Sequence, residues 1–387
     1  MNFDFIKNLL NQLEQNDLLR KPFTIDSVSD TSIRIEKKVK ILFCSNNYLN
    51  LAQDKRLIEA AKTAMENFGF GSAASRLISG SLEPHIELEK RLADLFQKES
   101  ALVFPSGYMA NLAVLQSIPQ KGDLILLDKI DHASIIDAAK GSDAQFRTYH
   151  RTQFDKIEKF LASSDFNRKF IVTESVFSMD GDFADLKKLV ELKKKYNAYL
   201  IVDEAHAFGC FGETGAGLAE ELGILNEIDI VVATLSKSAG CSGGFVVSDK
   251  CVIDFLVNKA RPFIYTTAPL PANSAAAVCA LEIIKNANDK RKRLKENSDY
   301  LRAKLKALNF DTAESASQIV PVIIGDNKRT LEISKSLFDK GFFVVAIRPP
   351  TVAPGTSRLR ISLQSEHTKE QIDSLCDCLK SFSTQGA

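Results

Sequence analysis

Two short apolar runs, each followed at once by polar and ionisable residues, constrain the fold of this chain more than any other feature. The runs cover residues 200–202 and 228–233. Runs this short and this apolar are typical of strands buried on both faces of a parallel sheet. The polar residues that follow them are Asp203, His206, Thr234, Ser236 and Lys237. Because parallel strands present their carboxyl ends at one edge of an open α/β sheet, these side chains are predicted to meet in a crevice at that edge.

An amine and a carboxylate at one sheet edge indicate a particular chemistry. Small residues flank Lys237 and leave room around its amine for a bulky group to bond. Asp203, from the neighbouring strand, would suit a pyridine nitrogen that must stay protonated. Pyridoxal 5'-phosphate uses this arrangement, because a lysine holds its aldehyde as a Schiff base while an aspartate keeps the ring an electron sink. Taken singly, each of the two residues is more often an ordinary residue at a strand end.

Longer motifs give the chain a family resemblance. The segments are DEAH at 203–206, TLSKSAG at 234–240, FCSNNYLNL at 43–51 and AIRPPTVAPGTSRLRISL at 346–363. Together they resemble the α-oxoamine synthases, which are fold-type I pyridoxal-phosphate enzymes, and the similarity covers nearly the whole chain. The resemblance implies an α/β transferase whose large domain has a mostly parallel seven-stranded sheet between helices, with a small C-terminal α+β domain. The expected division is 1–45 for an N-terminal helix and arm, 46–282 for the large domain and 283–387 for the small domain.

The resemblance assigns a role to each ionisable residue at the predicted sheet edge. Lys237 carries pyridoxal 5'-phosphate as a Schiff base and then takes the Cα proton of the amino acid. Asp203 keeps the pyridine nitrogen protonated, because an ion pair with a carboxylate raises the pKa of that nitrogen. His132 stacks on the pyridoxal ring, and His206 hydrogen-bonds the ring oxygen or the aspartate side of the cofactor.

The phosphate of the cofactor is expected at the start of a helix. Ser106, Gly107 and Tyr108 follow a predicted strand and form the first turn of the next helix. Free backbone N–H groups and the positive end of the helix dipole favour a phosphate at such a position. A strand-to-helix turn of this composition is often found without any ligand, so the assignment depends on the resemblance.

Five more residues are expected near the cofactor from the resemblance alone. Glu174 helps to organise the site, and Ser178 lies close to the ring. Thr234 bonds the phosphate or the ring oxygen. Thr266 and Thr267 reach across a homodimer interface to the phosphate bound by the other subunit, so that a monomer would have an incomplete phosphate site.

The substrates implied by the resemblance are L-alanine and a pimeloyl thioester, carried by coenzyme A or by a carrier protein. A guanidinium fork suits the carboxylate of the amino acid, and Arg360 with help from Asn46 is predicted to bind it. Thr351 is expected at the acyl substrate and Arg20 at the mouth of its channel. Arg358 is predicted to face away from Arg360 and to have a structural role.

Composition restricts the partners and the compartment. The chain has 50 Lys and Arg against 49 Asp and Glu, a formal charge of +1, so no global field attracts nucleic acid or an anionic membrane. Its seven cysteines are scattered and lack a CxxC pair, which suggests neither a disulfide framework nor a zinc site and fits a reducing cytoplasm. The N-terminus predicts an amphipathic helix and not a signal peptide, because Ile6, Leu9, Leu10 and Leu13 have helical spacing.

The sequence leaves one alternative open and disfavours two others. A related α-oxoamine synthase could use glycine or serine with another acyl-CoA, and two departures from the family pattern keep this open: alanines at 73 and 74 in place of two glycines, and serines at 236 and 238. A nucleotide-binding oxidoreductase is disfavoured, because the glycines do not form GxGxxG after the first strand and no P-loop is present. A non-catalytic relative is disfavoured because Lys237, Asp203, His206 and His132 are all present.

Overall fold

The computed structural model describes residues 2–383 as two compact units. The large unit comprises Asn47–Ser178 and Asp182–Lys292. The small unit comprises the residues up to Asn46, the segment Met179–Gly181 and the residues from Arg293 onward. The division predicted from the sequence, into 1–45, 46–282 and 283–387, stays a prediction, and its outermost ends lie outside the described residues.

The strands and helices in chain order have the following bounds. The strands are β1 (Ser27–Ser29), β2 (Ser32–Ile35), β3 (Lys38–Leu42), β4 (Ser100–Phe104), β5 (Leu124–Asp128), β6 (Gln145–Tyr149), β7 (Lys169–Glu174), β8 (Tyr199–Asp203), β9 (Ile230–Thr234), β10 (Gly244–Ser248), β11 (Ile319–Gly325), β12 (Phe342–Phe343), β13 (Val345–Ile347) and β14 (Ser357–Ser362). The helices are α1 (Asp4–Gln15), α2 (Lys55–Phe68), α3 (Glu83–Leu95), α4 (Gly107–Ser117), α5 (Ala133–Lys140), α6 (Phe154–Ala162), α7 (Leu186–Tyr196), α8 (Leu218–Glu221), α9 (Lys250–Lys259), α10 (Arg261–Ile264), α11 (Pro271–Lys285), α12 (Asn288–Ala307), α13 (Asn327–Asp339) and α14 (Lys369–Lys380). The helix α1 confirms the amphipathic helix predicted at the N-terminus.

A seven-stranded sheet organises the large unit, in the order β4-β10-β9-β8-β7-β5-β6. The pairs β9–β8, β8–β7, β7–β5 and β5–β6 are parallel, and β10 runs antiparallel to both of its neighbours. All residues of β5, β9 and β10 are buried, as expected for strands covered on both faces. The prediction of a mostly parallel seven-stranded sheet is therefore confirmed.

A buried apolar cluster fixes α4 and α5 against this sheet. Val114 of α4 and Ile135 of α5 pack with Leu127 of β5 and Val232 of β9, and none of the four is exposed. Removing one such aliphatic side chain from water stabilises the fold by ~1.5–3 kcal/mol. This packing sets where α4 begins relative to the strand ends, which becomes important for the site.

The small unit contains two smaller sheets. One has the order β1-β2-β3-β12 and the other β11-β14-β13. The apolar run FFVVAI at 342–347 predicts one strand from its sequence, but it divides at Val344 between these two sheets. Hydrogen bonding to β3 on one side and to β14 on the other favours two short strands over one continuous strand. Within residues 2–383, no helix combines the length and the apolar character needed to cross a membrane.

Candidate active site

Neighbouring parallel strands of the large unit end in the residues that the sequence singles out. Glu174 is the last residue of β7, Asp203 of β8 and Thr234 of β9. His132 lies just beyond β5, directly before α5. The strand register pairs Glu174 with Asp203, so these two acids lie side by side at the carboxyl edge of the sheet.

Asp203 is buried and receives two directed hydrogen bonds. Its Oδ2 accepts from Nδ2 of Asn111 at 2.8 Å, and its Oδ1 accepts from the backbone N–H of Ala205 at 2.9 Å. The residue is 6% exposed. Charge-assisted bonds to both oxygens restrict rotation of the carboxylate and therefore fix the direction in which it can act.

The ring of His132 is held through its Nδ1 atom. This nitrogen lies 2.8 Å from Oγ and 3.3 Å from the backbone N of Ser134. The residue is exposed in this chain, but desolvation by the groups around its ring still lowers the pKa of His132, while the Asp203 carboxylate raises it and Lys237 lowers it further. The net shift is downward, so the neutral imidazole is favoured near pH 7.

Lys237 belongs to the same electrostatic environment. Burial raises the pKa of Glu174, the Asp203 carboxylate raises it further and Lys237 lowers it. The charges of Lys237 and Asp203 thus both act on Glu174 and on His132. Both charged groups therefore lie within electrostatic range of Glu174 and His132.

The backbone around Lys237 is closely packed. The N–H of Gly240 donates to the carbonyl of Lys237 at 3.0 Å. Gly240 has a φ of +66°, and a Cβ atom there would lie 2.4 Å from the backbone N of Ala52. Only glycine fits this position, because it tolerates both the left-handed conformation and the close approach.

A group of donors lies where the phosphate was predicted. Ser106 caps α4, since its Oγ accepts from the N–H of Met109 at 3.2 Å. A Cβ on Gly107 would lie 3.3 Å from Cβ of Thr234, so the glycine leaves the helix start open beside that side chain. Ser236 Oγ lies 2.8 Å from Thr234 Oγ1. Thr234 Oγ1 itself donates to the carbonyl of Gly243 at 2.7 Å, so the helix N–H groups and the hydroxyls of Ser106 and Ser236 are the donors that suit a phosphate.

Tyr108 and Ser178 differ in their exposure. Tyr108 is 41% exposed, and its hydroxyl donates to the carboxylate of Asp137. Ser178 is 8% exposed, in the loop after β7.

The fully buried Asp131 lies between β5 and α5, and its Oδ1 accepts from the N–H of Glu174 at 3.1 Å. Burial, then the charge of Glu174, raises the pKa of Asp131 well above its ordinary value.

His206 is paired with a residue that was not singled out from the sequence. Its Nδ1 lies 2.7 Å from the hydroxyl of Tyr48, and Tyr48 is fully buried. The side chain of Asn47 holds the turn that carries this tyrosine, because its Oδ1 accepts from the N–H groups of Leu51 and Ala52. The same turn packs on the Lys237 loop through Ala52.

Thr266 and Thr267 lie beside the loop that follows α2. Thr267 forms an isolated antiparallel bridge with Ser75. In this loop Ala73 has a φ of +54°. This left-handed conformation costs an alanine about 1–2 kcal/mol, which glycine would not lose. The predicted reach of the two threonines to a second chain stays a prediction.

The predicted carboxylate-binding pair comes together in the small unit. Nη1 of Arg360, on β14, donates to Oδ1 of Asn46 at 3.2 Å and to Oγ of Ser362 at 2.8 Å. The prediction that Arg358 faces away from Arg360 is wrong, because side chains two residues apart on a strand share a face. Arg358 instead forms a largely buried ion pair with Asp180 of the small unit, which favours a structural role.

Arg20 and Thr351 meet at one turn of the small unit. Nη2 of Arg20 donates to the carbonyl oxygens of Arg348 and Pro349, at 3.4 and 3.0 Å. The N–H of Thr351 donates to the same Arg348 carbonyl at 3.1 Å. The Arg348 side chain is 7% exposed and donates to the carbonyl of Asp17.

Arg348 is a buried cation beside a second cation. Among the described residues, its Nε has no hydrogen-bond partner. Burial lowers the pKa of Arg348, and the charge of Arg20 lowers it further. A desolvated guanidinium beside a second cation is suited to an anion.

Three buried polar residues of the large unit escaped the sequence reasoning, namely Tyr48, Asn111 and Ser134. Asn111 offered the clearest signal, since it is an amide in the otherwise apolar run of α4. Tyr48 lies within a motif that was used for its resemblance and not for its hydroxyl. Ser134 offered no signal beyond its place two residues after His132.

This arrangement of lysine, aspartate and histidine at a sheet edge agrees with the family comparison. The family described as aminotransferase class I and II matches residues 38–379. The chain therefore belongs to the aminotransferase class I and II family.

Individual relatives are more specific. The chain is 42% identical over 378 residues to the 8-amino-7-oxononanoate synthase of Lysinibacillus sphaericus, covering 97% of each chain. It superposes on a serine palmitoyltransferase from S. paucimobilis with a TM-score of 0.92 and 35% identity, covering 98% of this chain and 96% of that one. It superposes on 8-amino-7-oxononanoate synthase from Francisella tularensis with a TM-score of 0.78 and 31% identity, covering 89% and 97%. These relatives confirm the fold class and the family resemblance inferred from the motifs.

Proposed function

We propose that the chain catalyses the 8-amino-7-oxononanoate synthase reaction of biotin synthesis, the decarboxylative condensation of L-alanine with a pimeloyl thioester. The Cα of alanine loses its proton and bonds to the acyl carbonyl carbon, and the C–S bond breaks so that the carrier leaves as a free thiol. The alanine carboxylate then leaves as CO2, and a proton takes its place on Cα. The observation that carries the proposal is the 42% identity over 97% of each chain to a relative of that activity. The donor set at the sheet edge supports the cofactor that this reaction uses.

The cofactor is pyridoxal 5'-phosphate, and the residues of the large unit fit it. Its phosphate would be held at the start of α4 and by Thr234, its aldehyde carbon by Lys237, its pyridine nitrogen by Asp203 and its ring oxygen by His206. The residues assigned to the phosphate and the remaining contacts are Ser106, Gly107, Tyr108, His132, Glu174, Ser178, Thr266 and Thr267. When bound, the cofactor accepts the electron pair left on Cα when a proton or CO2 departs.

The catalytic roles follow from the charges of the site. Asp203, oriented by Asn111 and Ala205, would hold a proton on the pyridine nitrogen. Lys237 would take the proton from Cα of alanine once its amine is free. His132 would exclude water from one side of the site, and its lowered pKa keeps it from adding a second positive charge near pH 7.

The substrate roles belong to residues of the small unit. Arg360, with Asn46, would bind the alanine carboxylate through charge-assisted hydrogen bonds. Thr351 and Arg20 would contact the acyl substrate, and their shared turn at Arg348 supports that grouping.

The test is the mass of the product formed from alanine and pimeloyl-CoA. We expect 8-amino-7-oxononanoate, CO2 and free thiol from the wild type. The Lys237→Ala variant should give no product and should lack the visible absorption of a covalently held cofactor. Lys250→Ala, at an exposed lysine, serves as the control and should behave as the wild type. Absence of product from the wild type with alanine, together with product from another amino acid, would refute the proposal.

A second candidate has its own supporting observation. The superposition on serine palmitoyltransferase, with a TM-score of 0.92, favours a sister activity that condenses serine, or glycine, with another acyl-CoA. The same incubations with serine or glycine and a long-chain acyl-CoA distinguish the two. A turnover with serine above that with alanine would replace the first proposal by the second.

The proposal includes a homodimer whose subunits share their sites. Its support is the exposure of large apolar side chains near the Thr267 bridge, with Ile78 at 81% and Tyr265 at 72%. Exposed apolar surface of this kind is typical of interfaces. Mixing the inactive Lys237→Ala and Thr267→Ala chains should restore part of the activity, because one site of each mixed dimer would hold both residues. If each chain built its site alone, mixing would restore nothing.

A cytoplasmic location completes the proposal. It rests on the seven cysteines, which are all free in the structure. Fractionation of cells that express the chain would test it, and recovery from an oxidising compartment would contradict it.

A further inference from the structure

We infer that Asn111 and Ser134 form a hydrogen-bonded bridge that orients Asp203 and fixes the tautomer of His132, and that both are positioning residues of the site. Asn111 lies on α4 and Ser134 in the first turn of α5, and they are 3% and 1% exposed. The catalytic meaning of the bridge rests on the proposed function. Its geometry does not.

The orientation of the Asn111 side-chain amide determines which groups of the bridge donate and which accept. Its Nδ2 lies 2.8 Å from Oδ2 of Asp203 and 3.0 Å from Oγ of Ser134. An amide nitrogen only donates, and it has two protons, one for each of these acceptors. The opposite orientation of the amide would place its carbonyl oxygen against the Asp203 carboxylate with no proton between two acceptors. The amide nitrogen therefore points to both partners.

Ser134 links Asn111 to His132 through its hydroxyl group. Its Oγ accepts a hydrogen bond from Asn111, so its own hydroxyl proton is free to be donated in a hydrogen bond to Nδ1 of His132, 2.8 Å away. The backbone N–H of Ser134 is directed at the same nitrogen, at 3.3 Å. A ring nitrogen that accepts hydrogen bonds has no proton, so the neutral His132 carries its proton on Nε2.

The bridge has two consequences for the site. Protonation of His132 at Nδ1 would turn this nitrogen from an acceptor into a donor. It would then face two other donors, the hydroxyl and the backbone N–H of Ser134, so the bridge favours the neutral ring. Rotation of Asp203 would break its bond to Asn111, so the bridge also holds the carboxylate in one direction. The charged groups that act on His132 are Asp203, Lys237 and Asp137. Both the neutral histidine and the fixed aspartate suit a cofactor ring that must stay electron-poor.

Nuclear magnetic resonance of the cofactor-free protein tests the bridge directly. The chain has five histidines, so a ¹⁵N-histidine spectrum is simple, and a His132→Gln variant assigns the signal. In the wild type we expect the proton of neutral His132 on Nε2. In Ser134→Ala this preference should weaken, and the pKa of His132 should rise by about 0.5–1 pH unit, the loss of one hydrogen bond to the neutral ring.

The holoenzyme tests the other end of the bridge. Asn111→Ala should lower kcat by about 10-fold and move the pH titration of the visible cofactor absorption, because Asp203 loses one of its two donors. Ser134→Ala should leave the Asp203 bond intact and change kcat less. Asn297→Ala is the matched control, since this amide is also buried and donates to a carbonyl at 2.7 Å, in the small unit. It should lower the Tm without changing the His132 spectrum.

Two results would overturn the inference. One is a wild-type His132 with its proton on Nδ1. The other is a Ser134→Ala variant with unchanged tautomer and pKa at His132. Neither result depends on which amino acid the enzyme takes, so the failure of the bridge and the failure of the proposed function can be told apart.

Discussion

The two units of the chain hold their polar site residues in different ways. In the large unit, side chains satisfy one another: Asn111 donates to Asp203 and to Ser134, and Ser134 reaches His132. In the small unit, Arg20 and Arg348 lie together and donate to backbone carbonyls. The Asn111 network pairs each donor with an acceptor, and Arg360 of the small unit is likewise paired with Asn46 and Ser362, whereas Arg20 and Arg348 are two cations that donate to neutral carbonyl groups.

This difference indicates where each ligand is recognised. A network whose members are already paired is preorganised, and it can act on a permanently held group without rearranging. A buried guanidinium that is not paired with a carboxylate lowers the stability of the fold, because its charge has lost its hydration. An anionic ligand that pairs with it recovers part of that free energy on binding. We therefore associate the large unit with the cofactor and the small unit with the carboxylates of the substrates.

Replacing Asp203 by asparagine should have the largest effect on activity. It tests the preorganised network of the large unit. The amide cannot keep a proton on the pyridine nitrogen, so kcat should fall by roughly 10²–10³-fold while the cofactor still binds. Single-turnover loss of the alanine Cα proton measures the step. Asp123→Asn is the control, a buried acid that pairs with Arg168 and is not assigned to the site. Near-normal turnover in Asp203→Asn would contradict the role of this acid.

Replacing Arg360 by alanine tests the substrate half. Loss of a charge-assisted fork should raise the KM for alanine by roughly 10²-fold with a smaller change in kcat. The Arg360→Lys variant, which keeps the charge without the fork, should fall between alanine and arginine. Arg293→Ala, at an exposed arginine paired with Glu366, is the control. An unchanged KM in Arg360→Ala would assign the carboxylate to another group.

Whether Arg20 and Arg348 bind the substrate can be tested by changing the carboxylate at the end of the acyl chain that is remote from the thioester. If the pair binds a free carboxylate, pimeloyl-CoA should have a KM about 10-fold lower than its methyl ester. The preference should shrink in Arg20→Ala and in Arg348→Ala. A wild type that uses both thioesters equally well would place the recognition of this end elsewhere.

The smallest expected effect concerns stability and a buried acid of the large unit. Glu204 is unexposed and accepts from Ser175 Oγ at 2.5 Å and from the N–H groups of Leu218 and Ala219 at 3.1 and 2.9 Å. Burial raises the pKa of Glu204 from 4.5 to about 7. Because the folded state then binds more protons than the unfolded state, stability is lost as the pH rises from 4.5 through 7.

Glu204→Gln should flatten this pH dependence, and it should lower the Tm at every pH because its amide nitrogen would face a donor from which the carboxylate now accepts. Calorimetry at pH 5, 7 and 8 measures it. Glu191→Gln, at an exposed glutamate, should leave the wild-type profile unchanged. A variant whose profile stays parallel to that of the wild type would show that Glu204 titrates normally.

The fold was largely predictable because its signals are local. Apolar runs gave β8 and β9, and the spacing of leucines gave α1. The predictions of secondary structure failed where residues far away in the chain determine the hydrogen bonding. The division of FFVVAI follows from hydrogen bonds to β3 and to β14, strands that lie far away in the chain. Similarly, the charged run at 283–308, with its spaced leucines, predicts one long helix from its sequence, but it is divided between the end of α11 and α12.

What the sequence determined by itself was the kind of chemistry: a lysine and an aspartate that follow two buried strands specify the groups and the edge at which they meet. Only the tertiary structure decided how those groups are held. Asn111 lies 92 residues from Asp203 along the chain, and Tyr48 lies 158 residues from His206. A hydrogen bond depends on distances of about 3 Å and on the direction of a proton, and the packing of α4, α5 and the loops sets both. No local pattern carries that information.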